Sequence, residues 1–406
     1  MKLNEINPQN ISQAELIVAI PTLNEADTIS LPTRQAAVAL RDYFKERSSV
    51  IVNCDNNSTD GTREAFLATD TGEIPKLYVA TPAGIRGKGS NLKILFRKAI
   101  ELKAKAIVVL EAGTESVTPQ WVKNLAEPIF NDFGYVAPLY VRHKYDASLT
   151  NAIVYPLTRC LYGRRVRQPI GGDFAFSGEM ARIFATSQLW NENVSLRGID
   201  IWMTTIAMNQ GFPICQAFVG RPKIHRPKDP GSSATPMFRQ VVGTIFEGML
   251  AFASNWTTTR WSKPTAIFGF GLGEVELPPM VEISRTQLYE SFRDGYTQNW
   301  ENYRKLMPAE NLQKLREIAS LDLDHFELPP QIWAKILFDF AVAYKKETLE
   351  KARTLDILLP LYRGMLLSFV NKTSEMSIQQ AEEYLEEICV VFEQTKPYLV
   401  DKWNQC

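Results

Sequence analysis

The chain has 406 residues, 45% of them hydrophobic and 22% charged, which suits two or more packed units with a large core and no need of covalent staples. Lys plus Arg and Asp plus Glu each number 45, so the formal charge is zero. That balance argues against nucleic acid or an anionic membrane as the main partner. The five cysteines, at 54, 160, 215, 389 and 406, are scattered and form no CxxC pair, the usage of reduced thiols in a cytoplasmic protein.

In chain order, the N-terminal MKLNEINPQNISQAE lacks the apolar run of a signal peptide. Leu16–Ile20 is a short apolar run ending at Pro21, and a helix is predicted over Glu25–Tyr43, starting near Asp27 or Thr28. Pro32 is tolerated in its first turn. Ser49–Cys54 reads as a second buried strand, followed by a helix over Thr59–Ala68. Lys76–Ala80 is a third strand, Gly89–Lys103 has helical periodicity, and Ala106–Leu110 is a fourth strand ending at Glu111. Repeated strand–helix units with continuous apolar strands imply a parallel sheet covered on both faces. Ligands of such sheets bind at the carboxyl ends of the strands.

From about residue 125 to 230 the pattern is mixed, and from about 237 it is mostly helical, with periodic segments at Gln331–Lys351, Leu355–Val370 and Ser377–Thr395. The stretch from Val241 to Trp256 contains Glu247 and Asn255 and is too short for a transmembrane segment. The expected division is a catalytic domain over 1–236, with a nucleotide-binding part at about 14–125 and an acceptor part at about 126–236. A helical region follows over 237–406, whose apolar faces cover the sheet or build a homodimer.

Two polar clusters follow the first two strands: Pro21-Thr22-Leu23-Asn24-Glu25 and Asp55-Asn56-Asn57-Ser58-Thr59-Asp60-Gly61-Thr62. Amides and carboxylates of this kind suit a base edge and ribose hydroxyls, and they equally suit helix capping. Together, strand–P-x-x-N-E and strand–x-D-x-x-S-x-D-G-T resemble the start of nucleotide-sugar-dependent GT-A glycosyltransferases. The resemblance implies a GT-A fold, a mixed α/β sheet flanked by helices. It also implies a nucleotide site lined by Pro21, Thr22, Asn24, Glu25, Asp55 and Ser58. The Arg86-Gly87-Lys88-Gly89-Ser90-Asn91 segment, with amides at a helix start beside Lys88, suits a diphosphate.

After the fourth strand such enzymes carry Asp-x-Asp, which holds a divalent cation, Mn2+ or Mg2+, on the diphosphate. Here the chain reads Glu111-Ala112-Gly113-Thr114-Glu115, so the first carboxylate is Glu111 and the second is replaced by Gly113, with Glu115 as a substitute further along.

Later segments narrow the resemblance. Gln168-Pro169-Ile170-Gly171-Gly172-Asp173, then Arg197-Gly198-Ile199-Asp200-Ile201-Trp202, then Lys223-Ile224-His225-Arg226 look like the retaining glycosyltransferases that make mannosylglycerate or glucosyl-3-phosphoglycerate. That resemblance puts Ile170 and Gly171 beside the transferred sugar and acceptor, Asp200 on hydroxyls near the reacting carbon, and Glu111 and His225 on the metal. Taken alone, Gly171-Gly172 can be a tight turn and Asp200 a helix cap.

For the acceptor, Arg142 and Thr150 come from the basic turn Arg142-His143-Lys144 and the helix after it, and Gly172 from the glycine pair. The expected donor is a UDP- or GDP-hexose and the expected acceptor a small acid such as glycerate. The alternative is a nucleotide-sugar-binding protein with lost or metal-independent catalysis, suggested by Gly113.

Overall fold

The computed structural model describes residues 4–225, 234–269 and 276–405. By contact, the described residues form two compact units. One is drawn from Met1–Val141, Val166–Gly231 and Thr265–Pro279, the other from Arg142–Arg165, Ser232–Pro264 and Met280–Cys406. By contact, Arg142–Arg165 leaves the sheet unit before residue 236, and Thr265–Pro279 returns to it after.

The first unit is built on nine strands: β1 (Asn4–Ile6), β2 (Leu16–Thr22), β3 (Ser49–Asp55), β4 (Lys76–Ala80), β5 (Ala106–Val109), β6 (Tyr135–Val141), β7 (Phe174–Ser177), β8 (Ile214–Pro222) and β9 (Ala266–Phe268). They lie in the order β1-β4-β3-β2-β5-β7-β6-β8-β9. The four strands read from sequence, β2 to β5, are mutually parallel, with Thr22 level with Asp55 and Asp55 level with Ala80. β7 runs antiparallel to both β5 and β6, which makes the sheet mixed.

Leu16, Val18, Ile20, Ile51 and Val108 belong to one buried cluster with Ala36 and Leu40 of the helix Ser30–Tyr43 and with Trp121 and Leu125 of the helix Pro119–Phe130. Elsewhere in the unit, Phe96 of the helix Lys88–Glu101 lies 5.6 Å from Phe176 of β7 and 5.1 Å from Phe184 of the helix Gly178–Thr186. The first helix starts at Ser30, later than expected, because the amides of Thr28 and Ile29 both turn back onto the Glu25 carbonyl.

The second unit is helical. Its long helices are Ala234–Ala251, Arg285–Leu306, Pro330–Lys346, Lys351–Thr373 and Ile378–Asn404, the last opened by a Ser377–Gln380 capping box. Among the described residues no helix is long and apolar enough to cross a membrane. Gly295 and Gly364 let two of these helices approach closely. A Cβ on Gly295 would stand 2.2 Å from Pro360, and one on Gly364 would stand 2.6 Å from the Phe292 ring. Gly295→Ala is expected to destabilise the chain by about 1–3 kcal/mol through overpacking, read as a lower urea midpoint with unchanged nucleotide affinity.

Candidate functional site

The carboxyl ends of β2 and β3 are stitched together by the two polar clusters. Thr22 Oγ1 donates to Asp55 Oδ1 (2.8 Å), and the Asn24 amide donates to Ser58 Oγ (2.8 Å). The Thr59 amide donates to Asn24 Oδ1 (3.0 Å), and the Glu25 amide to Thr62 Oγ1 (2.9 Å). Asp55 is 1% exposed, and its second oxygen accepts from the Ser58 amide (2.8 Å) and the Tyr78 hydroxyl (2.9 Å). Irregular backbone leaving a strand must find hydrogen-bond partners, and these side chains supply them. Asp55 therefore acts on the loop from inside it, while Pro21 and Glu25 are half-buried and Asn24 is exposed.

The glycines around Lys88 have a packing reason. A Cβ on Gly87 would meet the Ser195 carbonyl at 2.2 Å, and one on Gly89 would meet the Val194 carbonyl at 1.8 Å. The Gly89 amide donates to the Leu196 carbonyl (3.0 Å), and the Gly87 amide to Asn56 Oδ1 (2.5 Å). In this structure the protein's own oxygens take these two amides. Lys88 itself points elsewhere.

Lys88 Nζ stands 2.9 Å from Asp200 Oδ2, 3.2 Å from Glu111 Oε1 and 3.4 Å from the Gly172 carbonyl oxygen. Burial alone would lower its pKa, but Asp200 and Glu111 outweigh that and raise it, so the side chain is an ammonium. Asp200 lies in the first turn of the helix Ile199–Asn209 and is 8% exposed. Burial pushes its carboxyl above the ordinary carboxylate range, with Lys88 pulling the other way. Its Oδ1 is buried and has no hydrogen-bond partner among the described residues.

Beneath this pair lies a second lysine, Lys223. The Lys223 side chain is fully buried, with Nζ 2.9 Å from Glu111 Oε2, 2.8 Å from Asp173 Oδ2 and 2.6 Å from the Gly171 carbonyl oxygen. Asp173 Oδ1 accepts from the Glu111 amide (2.7 Å), and the Tyr140 hydroxyl donates to Asp173 Oδ2. Lysine ordinarily reads as a surface residue. The available signal was its position directly after β8, whose Cys215, Ala217 and Val219 are buried.

The Gln168–Asp173 segment builds this platform. Gln168 Nε2 donates to the Tyr140 carbonyl oxygen (3.1 Å). A Cβ on Gly171 would meet Pro138 at 2.3 Å, and one on Gly172 would meet the Glu111 carboxyl carbon at 2.4 Å. Gly172 also has φ +91°, where a side chain is strained. Glu111 thus lies directly on the Gly172 backbone, and Ile170 is half-buried.

The proposed acceptor residues Arg142 and Thr150 belong to the helical unit, and Gly172 belongs to the sheet unit. Arg142 pairs with Asp146 at 2.9 Å, and Thr150 is buried at the start of a π-helical turn. Lys144 of the same basic turn donates to the Thr373, Ser374 and Met376 carbonyl oxygens at 2.6, 3.0 and 2.6 Å. It caps the end of the helix Lys351–Thr373 rather than waiting for an acid.

A divalent ion on Glu111 and His225 does not fit the residues present. Each Glu111 oxygen faces an ammonium, and His225 Nδ1 is 3.9 Å from Glu111 Oε2. Gly113 brings no ligand, and a Cβ there would lie 3.7 Å from Glu25 Oε2. Glu115 is exposed, its amide bonded to the Ile224 carbonyl oxygen. Among the described residues no three His, Cys, Asp or Glu side chains converge closely enough to hold a metal. At an effective dielectric of ~20, a doubly charged ion about 4 Å from one ammonium meets a repulsion on the order of 8 kcal/mol. Arg226 of the Lys223–Arg226 motif lies outside the described residues.

No protein-family model and no curated protein matches the chain. Among solved structures, it is similar to glucosyl-3-phosphoglycerate synthase from Mycobacterium tuberculosis, solved in complex with Mn2+, UDP and glucosyl-3-phosphoglycerate. The TM-score is 0.46 with 21% identity, over 58% of this chain and 80% of that one. The same enzyme with Mg2+ and UDP gives a TM-score of 0.45 and 21% identity over 58% and 79%. A mycobacterial protein gives 0.45 and 20% over 59% and 76%.

Proposed function

We propose that this chain is a retaining glycosyltransferase that moves a hexose from a UDP- or GDP-sugar to a small acidic acceptor such as glycerate. One observation carries the reading: Lys88 joins Glu111, at the end of β5, to Asp200 and the Gly172 backbone. Carboxylates, an ammonium and a glycine pair meet beyond the carboxyl ends of the parallel strands β2 to β5, where ligands of such strands bind. This edge carries the motifs that resemble the nucleotide-sugar enzymes.

In this reading the loops after β2 and β3 hold the nucleotide through Pro21, Thr22, Asn24, Glu25, Asp55 and Ser58, some by contact and some by shaping the loop. Lys88 meets the diphosphate. Asp200 accepts from sugar hydroxyls near the anomeric carbon, and Ile170 and Gly171 flank the transferred sugar. Gly172 is assigned to the acceptor. The acceptor hydroxyl oxygen bonds to the anomeric carbon on the face from which the diphosphate departs. The departing oxygen takes the hydroxyl proton, so no protein base is required. The protein contributes positioning and charge stabilisation.

The test is a screen of UDP- and GDP-hexoses against glycerate, phosphoglycerate and related acids. Asp200→Asn is expected to lower kcat for the active pair by about 100-fold or more while nucleotide affinity changes by no more than about threefold. Nucleotide binding by the wild type with neither transfer nor donor hydrolysis would leave a binding protein instead.

A further inference from the structure

We propose that the Lys88 ammonium, seated between Glu111 and Asp200, takes the place of a divalent cation at the donor diphosphate, so that the chain binds its nucleotide without metal. The inference rests on the donor assignment above and adds to it the identity of the charge that meets the phosphates.

Three observations carry it. The position between the two carboxylates already holds a cation, with oxygens of Glu111, Asp200 and Gly172 at 3.2, 2.9 and 3.4 Å. Secondly, the two lysines are not equivalent. Lys223 has a fully buried side chain and fastens Glu111 to Asp173, whereas the Lys88 side chain keeps 19% of its surface exposed. Finally, a competing ion lacks ligands, because Gly113 has no side chain and Glu111 offers no oxygen that does not already face an ammonium.

The exchange on binding follows from hydrogen-bond bookkeeping. Lys88 has three N–H donors and no acceptor. When a diphosphate oxygen arrives, Lys88 gives up Asp200 Oδ2 and keeps Glu111. Asp200 Oδ2 is then free to accept from a sugar hydroxyl.

The test uses the 406-residue chain stripped with EDTA. UDP and GDP are titrated calorimetrically in EDTA and again with Mn2+, and Mn2+ alone is followed by electron paramagnetic resonance. The expected result is a dissociation constant that agrees within about threefold between the two conditions. Lys88→Ala should weaken it about tenfold or more in EDTA, the scale of a lost charge-assisted contact, and Lys88→Arg should retain most of it.

Two results overturn the inference. One is loss of wild-type nucleotide binding in EDTA with restoration by Mn2+. The other is stoichiometric Mn2+ uptake by the wild type that Glu111→Gln abolishes. If neither UDP nor GDP binds under any condition, the donor assignment fails instead, and the resonance measurement still decides the metal question.

Discussion

Lys223→Met is expected to lower the unfolding free energy by about 3–5 kcal/mol, the range seen when one partner of a buried ion pair is removed. The ammonium lost is the only described cation that touches Glu111, Asp173 and the Gly171 carbonyl oxygen together. Methionine keeps the volume and removes the charge. Two carboxylates are then left close together, one of them only 1% exposed, and the site they frame loosens with the core. Urea denaturation at neutral pH measures the loss. The double variant with Asp173→Asn should recover part of it, since one uncompensated charge is then gone. A single variant within about 0.5 kcal/mol of wild type, the range of an ordinary surface substitution, would show that Lys223 anchors nothing.

Gly89→Ala should cost about 2 kcal/mol or more in stability and also depress transfer. Its Cβ would lie 1.8 Å from the Val194 carbonyl oxygen and 2.9 Å from the Ser195 Cα, both backbone atoms that no rotamer change can move aside. The chain from Val194 leads within a few residues to Asp200, so displacing it misplaces that carboxylate. The two roles offered for this glycine differ in what they predict. A glycine kept for phosphate approach would change nucleotide affinity and leave the melting temperature of the free protein alone. A glycine kept for packing lowers the melting temperature with no nucleotide present, and the second is the expected outcome.

The central strands were legible because they are continuous apolar runs. Leu16–Thr22, Ser49–Asp55, Lys76–Ala80 and Ala106–Val109 lie within two residues of their expected limits. The edge strands were not, since Asn4–Ile6 is short and polar and Ala266–Phe268 is only three residues long and mostly exposed. In the site, residue type alone could not show how many hydrogen bonds a loop consumes for itself. Asp55 and Ser58 looked like ligand-binding groups and are largely engaged by Thr22, Tyr78 and Asn24. Lys223 stayed hidden because its role depends on Asp173 and Gly171, some fifty residues away in sequence. Gly113 was visible as a departure, but only the geometry showed two ammonium groups on Glu111.

The interleaving of the two units bears on how the chain is made. The polypeptide passes between them five times, after residues 141, 165, 231, 264 and 279. A ribosome that has released the first 236 residues has not yet delivered β9, which pairs with β8. The helical unit waits longer still. Trp333 must donate to the Ala152 carbonyl oxygen, and Lys396 must reach the carbonyl oxygens of Cys160 and Leu161, made more than two hundred residues earlier. Contacts so distant along the chain make for slow closure. During synthesis, the apolar surface of the helix Tyr155–Tyr162 therefore stays uncovered until the C-terminal helix emerges, and this is the stretch a chaperone would most need to shield.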